Sequence, residues 1–158
     1  MIDLNRLNLY RESRCLEAKR ALGGLPESLW ETYSAFANTC GGVILLGIGE
    51  NKDRSLYPVD LPNPTELMRQ FWAIVSDPAL ISANILTDEH VSWMELDGKD
   101  IIVIEVPEAS PAQKPVYTGQ DPYTGSYQRI GDGDFRCPRD TVEQMLRDAV
   151  SARQDERS

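Results

Sequence analysis

Residues 35–50, AFANTCGGVILLGIGE, decide the fold. Leu29, Tyr33, Phe36 and Cys40 fall at i, i+4, i+7 and i+11, one face of a helix over about 26–38, with Pro26 suited to its first position. Gly41-Gly42 ends that helix as a left-handed C-cap requires. GVILLGI then runs apolar without alternation, the pattern of a strand covered on both faces. A helix, a glycine turn and a buried strand in this order place the segment at the centre of an α/β domain.

The neighbouring segments extend that frame. Residues 3–11 carry Leu4, Leu7 and Tyr10 at helical spacing, and CLEAKR at 15–20 reads as a strand. LYPVD is an edge strand, because Pro58 cannot donate to a ladder. Asn63, Pro64 and Glu66 stand as N-cap, N1 and N3 of a second helix that Pro78 stops. HVSWMEL and KDIIVIEV flank Asp97-Gly98, a hairpin signal, and the second arm is apolar enough for a central strand. Residues 107–126 read as a long loop, a kind that is often functional. SYQRIG is a further strand, and Gly131-Asp132-Gly133-Asp134 is a turn. Asp140 and Glu143 open a last helix with Val142, Met145, Leu146, Ala149 and Val150 on its apolar face. The expected architecture is α/β (α+β-like): a mixed sheet of about five to six strands with flanking helices. One domain spans 1–150, and 151–158 is a polar tail, the start of a linker or helix.

The chain has 158 residues and a net charge of −9. Such acidity counts against a large nonspecific nucleic-acid surface. The charge is uneven, however. In residues 1–20 five cations (Arg6, Arg11, Arg14, Lys19, Arg20) against three acids give +2, which leaves −11 for the rest. A basic strip on an acidic body is the expectation. No apolar run is long enough for a bilayer and no signal peptide is evident, so the expected location is cytoplasmic with no membrane partner. Cys15, Cys40 and Cys137 are odd in number and scattered, which argues against a disulfide framework or a cysteine-rich zinc site. His90, the lone histidine, reads as a strand-edge residue. GIGENK lacks the third glycine of a dinucleotide fingerprint, and there is no P-loop.

Three carboxylates are candidates for chemistry. Glu12 precedes the first strand, Glu17 lies within it, and Glu50 lies beyond the carboxyl end of the buried strand, where ligands of open sheets gather. If the two strands are neighbours, the three converge, and oxygen donors suit Mg²⁺ or Mn²⁺. A metal so held activates water for phosphodiester cleavage. Lys19 shares the face of Glu17 and is placed for a phosphate. The bland alternative is solvated acids and a Glu17–Lys19 pair. Later in the chain Lys114, Tyr117, Tyr123, Tyr127 and Arg129 interleave cations with aromatic faces that stack bases, against the alternative of hairpin packing.

ESRCLEAK at 12–19, AFANTCGGVILLGIGE, KPVY at 114–117 and YQRIG at 127–131 together resemble the Schlafen AlbA-type (divergent AlbA) family over residues 12 to about 148. The resemblance implies a mixed sheet with flanking helices and a nucleic-acid-binding role, as in domains of transcriptional regulators. Phosphate contacts then fall to Arg14, Lys19, Lys114 and Arg129, with Tyr127 beside them. In animal Schlafen nucleases such a domain cleaves tRNA and rRNA through three metal-binding carboxylates, which match Glu12, Glu17 and Glu50 and imply Mg²⁺ or Mn²⁺ if this chain is a nuclease and no cofactor otherwise. Those nucleases pair two related lobes, so a single copy is expected to be a homodimer. Ala18 stands where an aromatic is usual, and Gly49 where an acid is common. Three readings stay open: an RNA- or DNA-binding domain, a metal-dependent endoribonuclease, and a non-catalytic regulatory or protein-interaction module with further domains beyond residue 158.

Overall fold

The structure, a computed structural model, describes residues 2–157. Its main sheet holds β1 (Leu16–Lys19), β2 (Gly42–Leu46), β6 (Lys99–Val106) and β5 (Val91–Leu96) in the order β1-β2-β6-β5. β1 runs parallel to β2, and the other two junctions are antiparallel. β3 (Ile48–Glu50) pairs with β4 (Leu56–Pro58), and β7 (Tyr127–Ile130) with β8 (Gly133–Arg136), each as a separate ribbon. The expected mixed sheet with flanking helices is therefore present, divided into one four-stranded and two two-stranded parts. The helices are α1 (Ser28–Asn38), α2 (Pro64–Val75), the short α3 (Pro122–Gly125) and α4 (Arg139–Arg157). A 3-10 turn, Leu4–Leu9, precedes β1. No helix is long and apolar enough to cross a membrane among the described residues.

Both faces of the sheet are covered, which explains the unbroken apolar run of β2. Ile44 and Leu46 face a core shared with Leu29, Tyr33 and Phe36 of α1 and with Phe71 of α2. Leu45 faces the opposite core, with Leu7, Leu16, Ile48 and Leu56. Along β6 the same alternation sends Ile102, Ile104 and Val106 to the first core and Ile101 and Val103 to the second. The hairpin turn at Asp97-Gly98 has positive φ at both residues, as a type I′ turn needs.

Several expectations are corrected. GVILLGI is not one strand: Gly47, at φ +84°, turns the chain between β2 and β3, and a side chain there would meet Leu61 Cγ at 2.7 Å and the Asp100 carbonyl at 3.0 Å. α1 starts at Ser28, two residues after Pro26. The capping box of α2 is not made. Asn63 caps through its backbone, its carbonyl accepting from Leu67 N at 3.0 Å, while Glu66 turns to Arg69 Nε at 2.9 Å. Glu143 likewise accepts from Arg139 Nε rather than capping α4. On α4, Val142 and Ala149 are buried, but Val150 is exposed. The helix continues through the polar residues to Arg157. His90 ends a 3-10 turn (Asp88–His90), and its Nδ1 accepts from Thr87 N at 2.9 Å.

Candidate functional site

The two glycines after α1 build the floor of the site. Gly41 has φ +71°, and a Cβ there would lie 2.8 Å from the Val106 carbonyl. A Cβ on Gly42 would lie 2.7 Å from the Phe36 ring. The bare Gly42 thus leaves room for the Phe36 ring, and the Arg129 guanidinium sits over that ring at 4.9 Å.

Arg129 is 2% exposed. Its Nη1 donates to Glu17 Oε1 at 2.9 Å and to Asp134 Oδ1 at 2.8 Å. Its Nη2 donates to the carbonyls of Ser13 at 2.7 Å and Leu16 at 3.2 Å. Burial acts to lower its pKa, but the bonds to Asp134 and Glu17 outweigh that and hold it above the ordinary value. Every Nη bond of Arg129 is thus made within the protein, and the residue positions the segment 12–17.

That segment is a tight turn in which Ser13 N donates to the Leu16 carbonyl at 2.9 Å. It aims Glu12 back along the free edge of β1, where Glu12 Oε2 accepts from Ala18 N at 3.0 Å. The carboxyl of Glu12 also lies within hydrogen-bonding reach of those of Glu17 and Glu50. Burial first, and then the Glu17 carboxyl, push Glu12 up to about 7, against the pull of the Ala18 N–H. Like charges crowded in a partly buried place share protons in this way. Lys19 lies on the same face, with Nζ 3.8 Å from Glu17 Oε2 and donating to Ser28 Oγ at 3.1 Å.

Glu50 is therefore brought to Glu12 and Glu17 from a distant strand. Carboxylates are the donors that Mg²⁺ and Mn²⁺ prefer. Nevertheless, among the described residues no group of three or more His, Cys, Asp or Glu is arranged to hold a metal ion. Glu17 is already engaged by Arg129 and Lys19. As placed, the residues do not fit a bound cation.

The other candidates lie elsewhere. Lys114 donates to Glu108 Oε2 at 2.8 Å. Tyr127 is half-buried and lines a cavity of about 560 Å³ with Trp30, Glu27 and Glu31. Arg14 is exposed near Cys40. Two cations of the N-terminal strip, Arg11 and Arg20, and Arg54 reach the segment that follows Glu50 or its neighbours. Arg11 Nε donates to the Asp53 carbonyl at 3.2 Å, which brings it to the exposed Lys52–Arg54 loop that follows Glu50. Arg54 pairs with Asp132 on the β7–β8 turn at 2.7 Å, and Arg20 Nη1 donates to Tyr57 Oη at 3.1 Å.

A mixed-sheet α/β domain in which Glu12, Glu17 and Glu50 meet beside β1 defines the class. The sequence profile of the Schlafen, AlbA_2 family matches residues 12–138, and the chain belongs to that family. It is similar to the N-terminal domain of a protein related to ATP-dependent DNA helicase RecG from Nitrosomonas europaea, solved by NMR. The two share 32% identity at a TM-score of 0.62, over 85% of this chain and 90% of that one. The DIP2311 protein from Corynebacterium diphtheriae, at 19% identity and TM-score 0.53, shares the fold over 85% of this chain, which spans about a quarter (24%) of that one. No match was found among curated proteins.

Proposed function

We propose that this domain binds nucleic acid, reading phosphates with the cations that border the Glu12–Glu17–Glu50 cluster. The observation that carries this reading is the meeting of Arg11 with the Lys52–Arg54 loop: cations from two distant segments form one exposed border in a chain of net charge −9. Arg14 continues it along the turn, and Lys19, with its side chain 12% exposed, lies beside Glu17 on β1. The family, and the helicase-related protein whose N-terminal domain shares 32% identity, support a nucleic-acid role. A homodimer would double the border and offset the acidity of the remainder. Mobility-shift assays at low salt with tRNA, single-stranded DNA and duplex DNA test the proposal. Replacing Arg11 and Arg54 together by alanine should weaken binding uniformly and flatten the salt slope on duplex DNA by about 0.9 for each phosphate no longer neutralised. No binding to any of the three by the wild type overturns the reading. Sedimentation shows whether the bound species is a dimer.

The convergence of Glu12 with Glu17 and Glu50 favours a second reading, a metal-dependent endoribonuclease. It requires Glu17 to leave Arg129 and Lys19, so it predicts that added Mn²⁺ protects Glu12, Glu17 and Glu50 from carbodiimide modification. Wild-type protein that leaves tRNA intact with Mn²⁺ and Mg²⁺, or a Glu17→Gln variant that cleaves equally well, refutes it.

A further inference from the structure

Two of the three cysteines, separated by 25 positions in sequence, meet at the edge of the acid turn, with Cys15 Sγ 3.9 Å from Cys40 Sγ. Cys15 is exposed and Cys40 half-buried, whereas Cys137 is buried elsewhere, behind β8. Both members of the pair sit in turns rather than inside a strand or helix. Cys15 is held by the Ser13–Leu16 turn, with its own N–H on Ser13 Oγ at 3.3 Å. Cys40 lies in the turn that follows α1, just before Gly41. Its Sγ makes no strong hydrogen bond, the Gly41 carbonyl being 3.8 Å away. A disulfide bond is about 2.05 Å long, so the two sulfurs need to approach by roughly 2 Å to bond.

We propose that Cys15 and Cys40 form a redox-active dithiol, a modification site oxidised by low-molecular-weight disulfides to an internal bond. The exposed Cys15 is the sulfur that a reagent meets first. As thiolate it attacks one sulfur of the reagent disulfide, forms a mixed disulfide, and releases one reagent thiol. Cys40, having given up its proton to solvent, then attacks Cys15 Sγ and expels the second reagent thiol. The sum is one protein dithiol and one small disulfide converted to one protein disulfide and two small thiols, so electrons and protons balance. Burial, and then the adjacent Cys15, raise the pKa of Cys40, which fits a resolving rather than an attacking role. Burial pushes Cys137 up to about 11 and takes it out of the exchange.

The bond would tie two segments that grip Arg129. One supplies the Ser13 and Leu16 carbonyls, and the other supplies Thr39 Oγ1, which accepts from Arg129 N at 2.9 Å. Oxidation therefore clamps the acid turn against the end of α1, whatever the acids do.

The full chain is incubated with glutathione disulfide, quenched with acid, and its remaining thiols alkylated after denaturation. Intact mass and peptide mapping should show a single alkyl group, on Cys137, and a linked peptide pair containing Cys15 and Cys40. A Cys40→Ser variant should retain a glutathionyl group on Cys15, and a Cys15→Ser variant should retain none. Wild-type protein that keeps all three thiols, that stops at glutathionylated Cys15 as the Cys40→Ser variant does, or that forms only intermolecular disulfides overturns the proposal.

Discussion

Replacing Arg129 by methionine removes the guanidinium but keeps an unbranched side chain over Phe36. It leaves Glu17 and Asp134, whose side chains are only 14% and 15% exposed, without their shared cation. It also strips the Ser13 and Leu16 carbonyls of a donor. Breaking a buried ion pair by deleting one partner costs about 3–5 kcal/mol, because the other charge stays buried. At about 2–4 °C per kcal/mol for a chain of this size, Tm should fall by roughly 6–20 °C. Urea unfolding followed by circular dichroism measures the loss directly. The triple variant Arg129→Met, Glu17→Gln, Asp134→Asn should recover a large part of it, since neither position 17 nor position 134 then holds a carboxylate stripped of the guanidinium. An Arg129→Met protein within about 1 kcal/mol of wild type, or a triple variant no better than the single one, would refute the argument that this arginine holds the site together.

Glu12 gives a pH signature. Its ordinary value is 4.5 and its folded value about 7, so the folded state keeps a proton that the unfolded chain has released. Its contribution to stability is complete below about 4.5 and declines as pH rises to about 7. Glu12→Gln should flatten that decline and be more stable than wild type at pH 8 by thermal melting; a variant that tracks wild type across pH 5–8 contradicts it. At position 49, a Cβ would lie 2.6 Å from Tyr57 Cζ and 2.7 Å from its hydroxyl. Gly49→Asp should therefore cost about 1–3 kcal/mol by overpacking, and adding Tyr57→Ala should restore most of it. Equal losses with and without the tyrosine would show that the ring is not the obstacle.

What the sequence disclosed was local. The α1–turn–β2 passage was legible because helical spacing, two glycines and an apolar run are each set within a few residues. The hairpin at Asp97-Gly98 was legible for the same reason. The bend at Gly47 was not, because Ile48 beyond it is buried like Leu46 before it, and an apolar run carries no mark of a left-handed residue. β8 escaped because its one large apolar residue, Phe135, faces outward and is 53% exposed. Pairing with β7 and the ion pair of Asp134 hold that strand in place. The acids were found from strand ends and from the resemblance, but the pairing of Glu17 with Arg129 was not. Arg129 lies 112 positions from Glu17, and a pairing at that range has no sequence period. The Cys15–Cys40 approach was missed for the same reason. Gly49 and Tyr57 explain a departure seen in sequence: the seat of a second acid on β3 is filled by a ring.

The long segment 107–126 is pinned to α1 by a carboxamide and a hydroxyl. Asn38, at the end of α1, accepts from Val116 N at 2.8 Å and donates to the carbonyls of Val116 at 2.9 Å and Tyr127 at 3.0 Å. Ser34, one turn earlier, donates to the same Val116 carbonyl and accepts from Tyr127 N. The loop is thus knotted to the helix near its middle and at its far end, which divides one wide excursion into two narrow ones, each with less freedom to surrender on folding. Aspartate at 38 would lack both donors, and glutamine would overreach by a methylene. In AFANT the asparagine reads as an ordinary helix-end residue, yet its partners are a loop some eighty positions downstream, and that distant stretch borrows its order from it.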